Sequence, residues 1–497
     1  MSYDVEARTL VRNLDNRMGP SAYDTAWLAR VRVPGTPQAR WPELLDQLLA
    51  TQHADGSWGS DVHYYHDRVI CTLVAAIALR QNSQGRSTEY AVKRAERFLW
   101  HNVHLLAYDP FELVGFELIF PTLLGEAQHL GLDVPTHTCG YSKIQTAKLR
   151  LIPPDMLYSP HVSTVLSLEF LGRTADVDKL GQALTVNGSL GNSPAATAFY
   201  LSLAGDHEQA VGYLNAVKNH MPHITPFYPF RTFELTWVLN SLTHAGLPIA
   251  GYLAEDEWRA LKDELTPEGV GFDPTFGIPD GDTSSVCSHV LLAAGFDVEP
   301  QILVRYQDSE RHLFRTYHYE RNPSVSTNVH ALEALSLMPD YPDRAQIQAE
   351  IITMLLDNRK YNTFWVDKWH ASPFYATSHT LIALLNTQPY LASVCQHTVD
   401  WIIHTQLTDG SWGYFRKGTL EETAFALTAL LHYRKYRPVD DETLHQAARF
   451  LKQFYEGESS AFPPMWIVKC LYSPTDIVRS VILTALILYE QTFGHEP

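Results

Sequence analysis

At 497 residues, with 45% hydrophobic and 11% aromatic side chains, the chain is long for one core and rich enough to bury two. A net charge of −17 excludes nucleic acid or an anionic membrane surface as the main partner, because both demand basic patches. Five scattered cysteines (Cys71, Cys139, Cys287, Cys395, Cys470) with no CxxC pair exclude a disulfide frame or a cysteine zinc site and fit a reducing, cytoplasmic setting.

The start, "MSYDVEARTLVRNLD", is charged and helical rather than a signal peptide. "WPELLDQLLATQ" and "VICTLVAAIALR" place apolar residues at three-to-four spacing, the helix period, as do "ETAFALTALLHYRKY" and "RSVILTALILYE" further on. Strand signals are scarce, and Pro, Gly and Asp-rich turns separate the helical stretches. "QHADGSWG" (52–59) and "QLTDGSWGY" (406–414) share the pattern Q-x-x-x-G-x-W, and "NGSLGNSPAATAFYL" (187–201) reads as a degenerate third copy without its Trp. Repeated helix–turn–helix units bury their faces only by stacking, in solenoids or closed α/α barrels. Gln52, Trp58, Gln406 and Trp412 are therefore expected to staple helix ends. His63 and His66 lack accompanying ligand residues and are expected to be structural.

Between these repeats stands "FGIPDGDTSSVCSHVLL" (276–292), with Asp280 and Asp282 ahead of an apolar helix. Taken alone, Asp, Thr and Ser at such a position read as a helix cap. The apolar run "VILTALILY" near the end is too short to span a bilayer, so no stable membrane insertion is expected.

Two Q-x-x-x-G-x-W copies in an all-helical chain resemble the QW repeats of triterpene and diterpene cyclases. "SAYDTAW" (21–27), "VGFELIFPTLL" (114–124), "SPAATA" (193–198), "FELTWVLNSL" (233–242), "DKWHASPFYATSHTLIALL" (367–385) and "MWIVKCLYSP" (465–474) narrow the resemblance to bacterial class II diterpene cyclases, over nearly the whole chain. It implies an all-α fold of two α-barrel domains, β and γ. The first β helix would be at 1–17, the inserted γ domain at 18–228 and the rest of β, with the acid motif, at 229–497. "DGDTSS" falls where that family carries D-x-D-D. By resemblance Asp282 is the general acid and Asp280 its partner, while Thr283 replaces the third Asp, as in some halimadienyl and drimenyl diphosphate synthases. No D-D-x-x-D motif for class I ionisation is present, since "DDETL" (440–444) lacks its last Asp, so the product is expected to keep its diphosphate.

The chemistry such an enzyme performs sets further expectations. An alkene is a very weak base, so the acid must stay neutral at pH 7, and burial plus a second carboxylate favour that form. In "NPSVSTNVHALEAL" (322–335), Ser326, Asn328 and His330 are candidates for the acid's partner. Asn328 is preferred as a neutral amide, with His330 as the alternative and a candidate terminal base. Trp237, Trp365, Trp369, Phe374 and Tyr375 are candidates for the aromatic wall around a carbocation. Lys148 and Lys469 are candidates for the diphosphate, and Asp109 with Glu112 for a Mg²⁺ that bridges to it.

The activity implied is protonation-initiated cyclisation of geranylgeranyl diphosphate to a bicyclic diphosphate of kolavenyl or halimadienyl type. A downstream class I terpene synthase or a diphosphate-removing enzyme would be the functional partner. Farnesyl diphosphate conversion to drimenyl diphosphate is one alternative, and a non-catalytic helical barrel that binds a lipid or a partner is another. A triterpene cyclase fits less well, since it would carry more QW repeats.

Overall fold

A computed structural model describes residues 2–82, 85–136, 139–308, 310–320 and 322–494. Helices dominate, and the described residues hold one two-stranded ladder, Trp466–Ile467 paired antiparallel with Leu471–Tyr472. The apolar residues sort into two cores. One contains Tyr23 to Ile224 and is built around the helices Ala22–Ala29, Tyr65–Gln81, Phe116–His129 and Pro194–Ala204. The other joins Ala7, Leu10 and Val11 of the first helix to residues from Phe227 to Tyr489, around the helices Arg231–His244, Gly281–Ala293, Val325–Ser336, Pro373–Thr387, Leu420–Arg434 and Thr475–Phe493. These inner helices are buried on nearly every face, polar side chains included.

The hairpin is the seam between the cores. Successive residues of a strand face opposite sides. Trp466 and Tyr472 accordingly enter the second core, while Met465, Ile467 and Leu471 enter the first. A two-residue strand has too few positions to show this alternation in sequence, which is why the hairpin was not expected.

The QW units do staple helix ends. Trp58 Nε1 donates to Leu48 O at 2.7 Å and its backbone N to Thr72 Oγ1 at 3.0 Å. Trp412 repeats both bonds, to Ile402 O at 2.7 Å and Thr423 Oγ1 at 3.0 Å. The amides of Gln52 and Gln406 close the turns onto Gly56 O and Gly410 O, each at 2.9 Å. Gly188 sits in the left-handed region like Gly56 and Gly410, and a Cβ at any of the three would meet a carbonyl within 2.6 Å. In that third copy Leu190 stands where the others have Trp and keeps the backbone bond, to Thr197 Oγ1 at 2.9 Å.

Trp365, expected in the aromatic wall, belongs to this scaffold instead. Its Nε1 donates to Leu355 O at 2.6 Å and its N to Thr377 Oγ1 at 3.0 Å. Arg359 and Thr363 occupy the places of the motif's Gln and Gly, which hid this unit from the pattern.

Candidate functional site

Asp280 is the N-cap of the Gly281–Ala293 helix: its two carboxylate oxygens accept from Thr283 N at 2.7 Å and Thr283 Oγ1 at 2.8 Å. Thr283 thus holds Asp280 from two sides. Burial pushes the Asp280 carboxyl up to about 7 against these bonds, and the charge of Asp282 adds to the push. Gly281 between them admits no side chain, because a Cβ there would collide with Arg315 O.

Asp282 lies one residue further, in the helix's first turn, and lines a cavity. Its Oδ1 is 2.7 Å from His330 Nδ1, on the Val325–Ser336 helix. Burial alone would lower the His330 imidazole, but the facing Asp282 outweighs it and holds the ring above its ordinary value. His330 and Trp237 meet edge to face, with ring centroids 5.5 Å apart at 82°.

The preference for Asn328 over His330 is corrected by this geometry. Asn328 Oδ1 accepts from Phe314 N at 2.9 Å, and its Nδ2 donates to Phe314 O at 2.9 Å and Ser324 O at 2.8 Å. Its amide closes a loop and is spent there. Two residues apart on a helix, Asn328 and His330 face different ways. Ser326 does not reach Asp282 either: its Oγ donates to Asp367 Oδ2 at 3.0 Å and its N to Asp367 Oδ1 at 3.1 Å.

Asp367 is the buried carboxylate that sequence reasoning quoted but did not single out. It also accepts from Ser324 Oγ at 2.9 Å and Trp369 N at 3.0 Å. Burial raises it above the ordinary carboxylate range, against these bonds. The Ser-x-Ser spacing of Ser324 and Ser326 at a helix start was the available signal. Behind His330 the same barrel buries His379 and a His244–Glu333 pair at 2.8 Å, also unpredicted. The His244 contact holds Glu333 well below its usual range despite burial.

The cavity measures about 360 Å³, within the ~300–1,000 Å³ common for small-molecule sites. It opens between the two cores. Phe233, Trp237, Trp369, Tyr375, Trp466 and Tyr472 line it from one side, and Leu118, Phe170 and Ile467 from the other. Trp237, Trp369 and Tyr375 therefore stand where the aromatic wall was expected. Phe374 does not. One residue from Tyr375, it turns away from the cavity into the core and stacks on Trp401 at 4.9 Å.

The candidate diphosphate groups separate sharply. Lys148 is half exposed and pairs at 2.5 Å with Glu117, which lines the cavity together with Ser163, Thr164 and Ser167. Lys469 is buried in the hairpin turn and donates to Leu166 O and Glu169 Oε1, each at 2.6 Å, and to Ser193 Oγ at 2.7 Å. All three of its N–H groups are committed across the seam, so the expectation that it holds diphosphate is corrected.

The expected metal ligands do not form a magnesium site. Asp109 Oδ2 accepts from His66 N and contacts His66 Nδ1, both at 2.8 Å, and Glu112 is exposed. Among the described residues no group of three His, Cys, Asp or Glu could hold a metal ion. His66 is structural as expected, its Nε2 lying 3.1 Å from Tyr141 Oη. Among the described residues no helix is long and apolar enough to cross a membrane.

No family model matches the chain. Individual proteins do. It is 31% identical to the type B diterpene cyclase of Mycobacterium tuberculosis over 518 residues, covering 98% of this chain and 99% of that one. The chain belongs to the bacterial class II diterpene cyclase family. It is 30% identical to the (+)-kolavenyl diphosphate synthase of Herpetosiphon aurantiacus, with 97% of this chain and 96% of that protein covered. Among solved structures, the ent-copalyl diphosphate synthase from Streptomyces platensis superposes with a TM-score of 0.79 at 27% identity, over 98% of both chains. The Arabidopsis thaliana ent-copalyl diphosphate synthase, at 22% identity, shares the fold with a TM-score of 0.72, and this chain covers 63% of it. The chain is thus a class II cyclase of two α-barrel domains.

Proposed function

We propose that this cyclase folds geranylgeranyl diphosphate into the cavity between the barrels and protonates its terminal alkene with Asp282. The observation that carries this reading is the Asp282–His330 contact at the wall of an aromatic cavity. His330 occupies Oδ1, which leaves Oδ2 to present the proton to the alkene. Asp280 lines the same cavity with both oxygens bonded to Thr283, and keeps a second carboxyl beside the pair.

As the polyene closes onto the tertiary cation, the faces of Trp237, Trp369 and Tyr375 stabilise positive charge without attacking it. The hairpin and both cores keep water from that charge. Lys148 and the hydroxyl groups around Glu117 suit the diphosphate end. Asp109, committed to His66, and the exposed Glu112 do not fit a magnesium ion bridging to it.

The family to which the named relatives belong supports geranylgeranyl diphosphate as substrate. The D-x-D-T variant and the kolavenyl diphosphate synthase relative favour a rearranged, kolavenyl- or halimadienyl-type bicyclic product. The two cores favour a division close to 1–17, 18–228 and 229–497. The retained diphosphate would pass to a class I terpene synthase or a diphosphate-removing enzyme. Incubation with geranylgeranyl and, separately, farnesyl diphosphate, followed by dephosphorylation and mass spectrometry, tests the reading. A bicyclic C20 alcohol absent with Asp282→Ala is expected. A C15 product would move the assignment to a drimenyl-type enzyme, and unchanged prenyl alcohols from folded protein would overturn it.

A further inference from the structure

A second cavity, of about 1000 Å³, opens in the first barrel and shares no lining residue with the cavity of Asp282. Four arginines line it, Arg30, Arg32, Arg80 and Arg173, against two carboxylates, Glu126 and Glu169. Glu169 is already committed, to Lys469 at 2.6 Å and to Tyr23 Oη at 2.9 Å. A cationic surplus in one concavity of a chain with net charge −17 selects for an anion.

Arg30 is the centre of this arrangement. Its side chain is 6% exposed, and its guanidinium lies 3.9 Å over the Trp27 ring. Nη2 donates to Glu126 Oε1 at 2.6 Å, whereas Nε and Nη1 are buried with no hydrogen-bond partner. Arg80 Nε, on the same cavity, is likewise buried and unpartnered, while its Nη2 faces Glu96 at 3.6 Å. Buried donors are almost always satisfied, so orphans on two arginines of one cavity call for an acceptor. A planar guanidinium stacked on an aromatic ring offers its edge to phosphate oxygens. Arg173 is exposed at the mouth, 3.0 Å from His129 Nε2. Trp27, Phe199 and Leu201 give the cavity an apolar stretch among polar neighbours such as Gln81, Thr122 and Ser202, and the volume far exceeds that of one phosphate group.

We propose that this cavity is a second ligand site, taking a phosphate or diphosphate group on Arg30, Arg80 and Arg173 and an apolar tail along Trp27 and Phe199. The site does not depend on the cyclase reading, and the two can fail separately. The same anionic group could arrive as free pyrophosphate or on a prenyl chain, so both are titrated calorimetrically, as inorganic pyrophosphate and as non-hydrolysable farnesyl thiodiphosphate. Wild type, Arg30→Gln, Arg173→Ala and Lys148→Ala are compared, with folding checked by circular dichroism.

The expected result is a binding component weakened at least tenfold by Arg30→Gln and by Arg173→Ala but retained in Lys148→Ala. Tighter binding of the prenyl compound is expected from the apolar wall, and equal binding of the two would overturn the tail and leave a site for free phosphates. Should Arg30→Gln not fold, the exposed Arg173→Ala decides alone. Binding that ignores both arginine changes, or that Lys148→Ala removes entirely, overturns the proposal.

Discussion

Replacing Asp280 by Asn tests the environment of the acid motif through stability. Asn caps a helix about as well as Asp, so the bond from Thr283 N survives while the titration disappears. Burial raises the Asp280 carboxyl from its ordinary 3.8 to about 7 in the native chain. Its folded value lies above its unfolded one, so the native state binds the extra proton. The resulting stability is fully present below pH 3.8 and is lost as pH rises through about 7. At roughly 1.4 kcal/mol per pH unit, the wild type should gain about 3 kcal/mol from this group between pH 8.5 and pH 5, and Asp280→Asn none of it. Guanidinium denaturation of both proteins at the two pH values, followed by circular dichroism, reads the difference. If the variant tracks the wild type at both pH values, or the wild type gains on it toward alkaline pH, the buried neutral carboxyl is refuted.

Other substitutions separate chemistry from scaffold. Asp282→Asn should lower turnover by ~10²–10⁴ with the fold intact, the usual range for losing a positioned acid, as measured by product formation per enzyme. His330→Ala should lower turnover by ~10² or more, while Asn328→Ala should instead cost about 1–3 kcal/mol of stability by stranding Phe314 N and O, seen in parallel activity and denaturation assays. Lys469→Met should destabilise by ~3–5 kcal/mol, because it leaves Glu169 buried and unpaired, without the selective rise in KM expected of Lys148→Ala.

What the sequence disclosed and what it hid follow one physical line. The helices were legible because a 3.6-residue period repeats over many positions, and the QW turns because Gly56 and Gly410 must adopt a backbone only glycine tolerates. Asp280 and Asp282 were legible as a pair but not as separate jobs. The structure gives the helix cap to the first and the contact with His330 to the second, while both line the cavity. Lys469 was hidden because its partners lie some 300 residues away, and no local pattern encodes which side of a seam a turn will enter.

The choice between Asn328 and His330 was hidden for a related reason. Both residues sit on one helix, and only the loop carrying Phe314 decides that the amide is consumed and the imidazole faces Asp282. Local sequence therefore supplied the reactive group types, while contacts between distant segments assigned their roles. The surroundings of Asp282 are built the same way. Asp282 comes from one helix, His330 from a second and Trp237 from a third. The far wall comes from the other barrel. A change that loosens the barrels' seam should thus act on the cyclisation outcome without touching a reacting group, because the wall that excludes water from the cation is shared between the two cores.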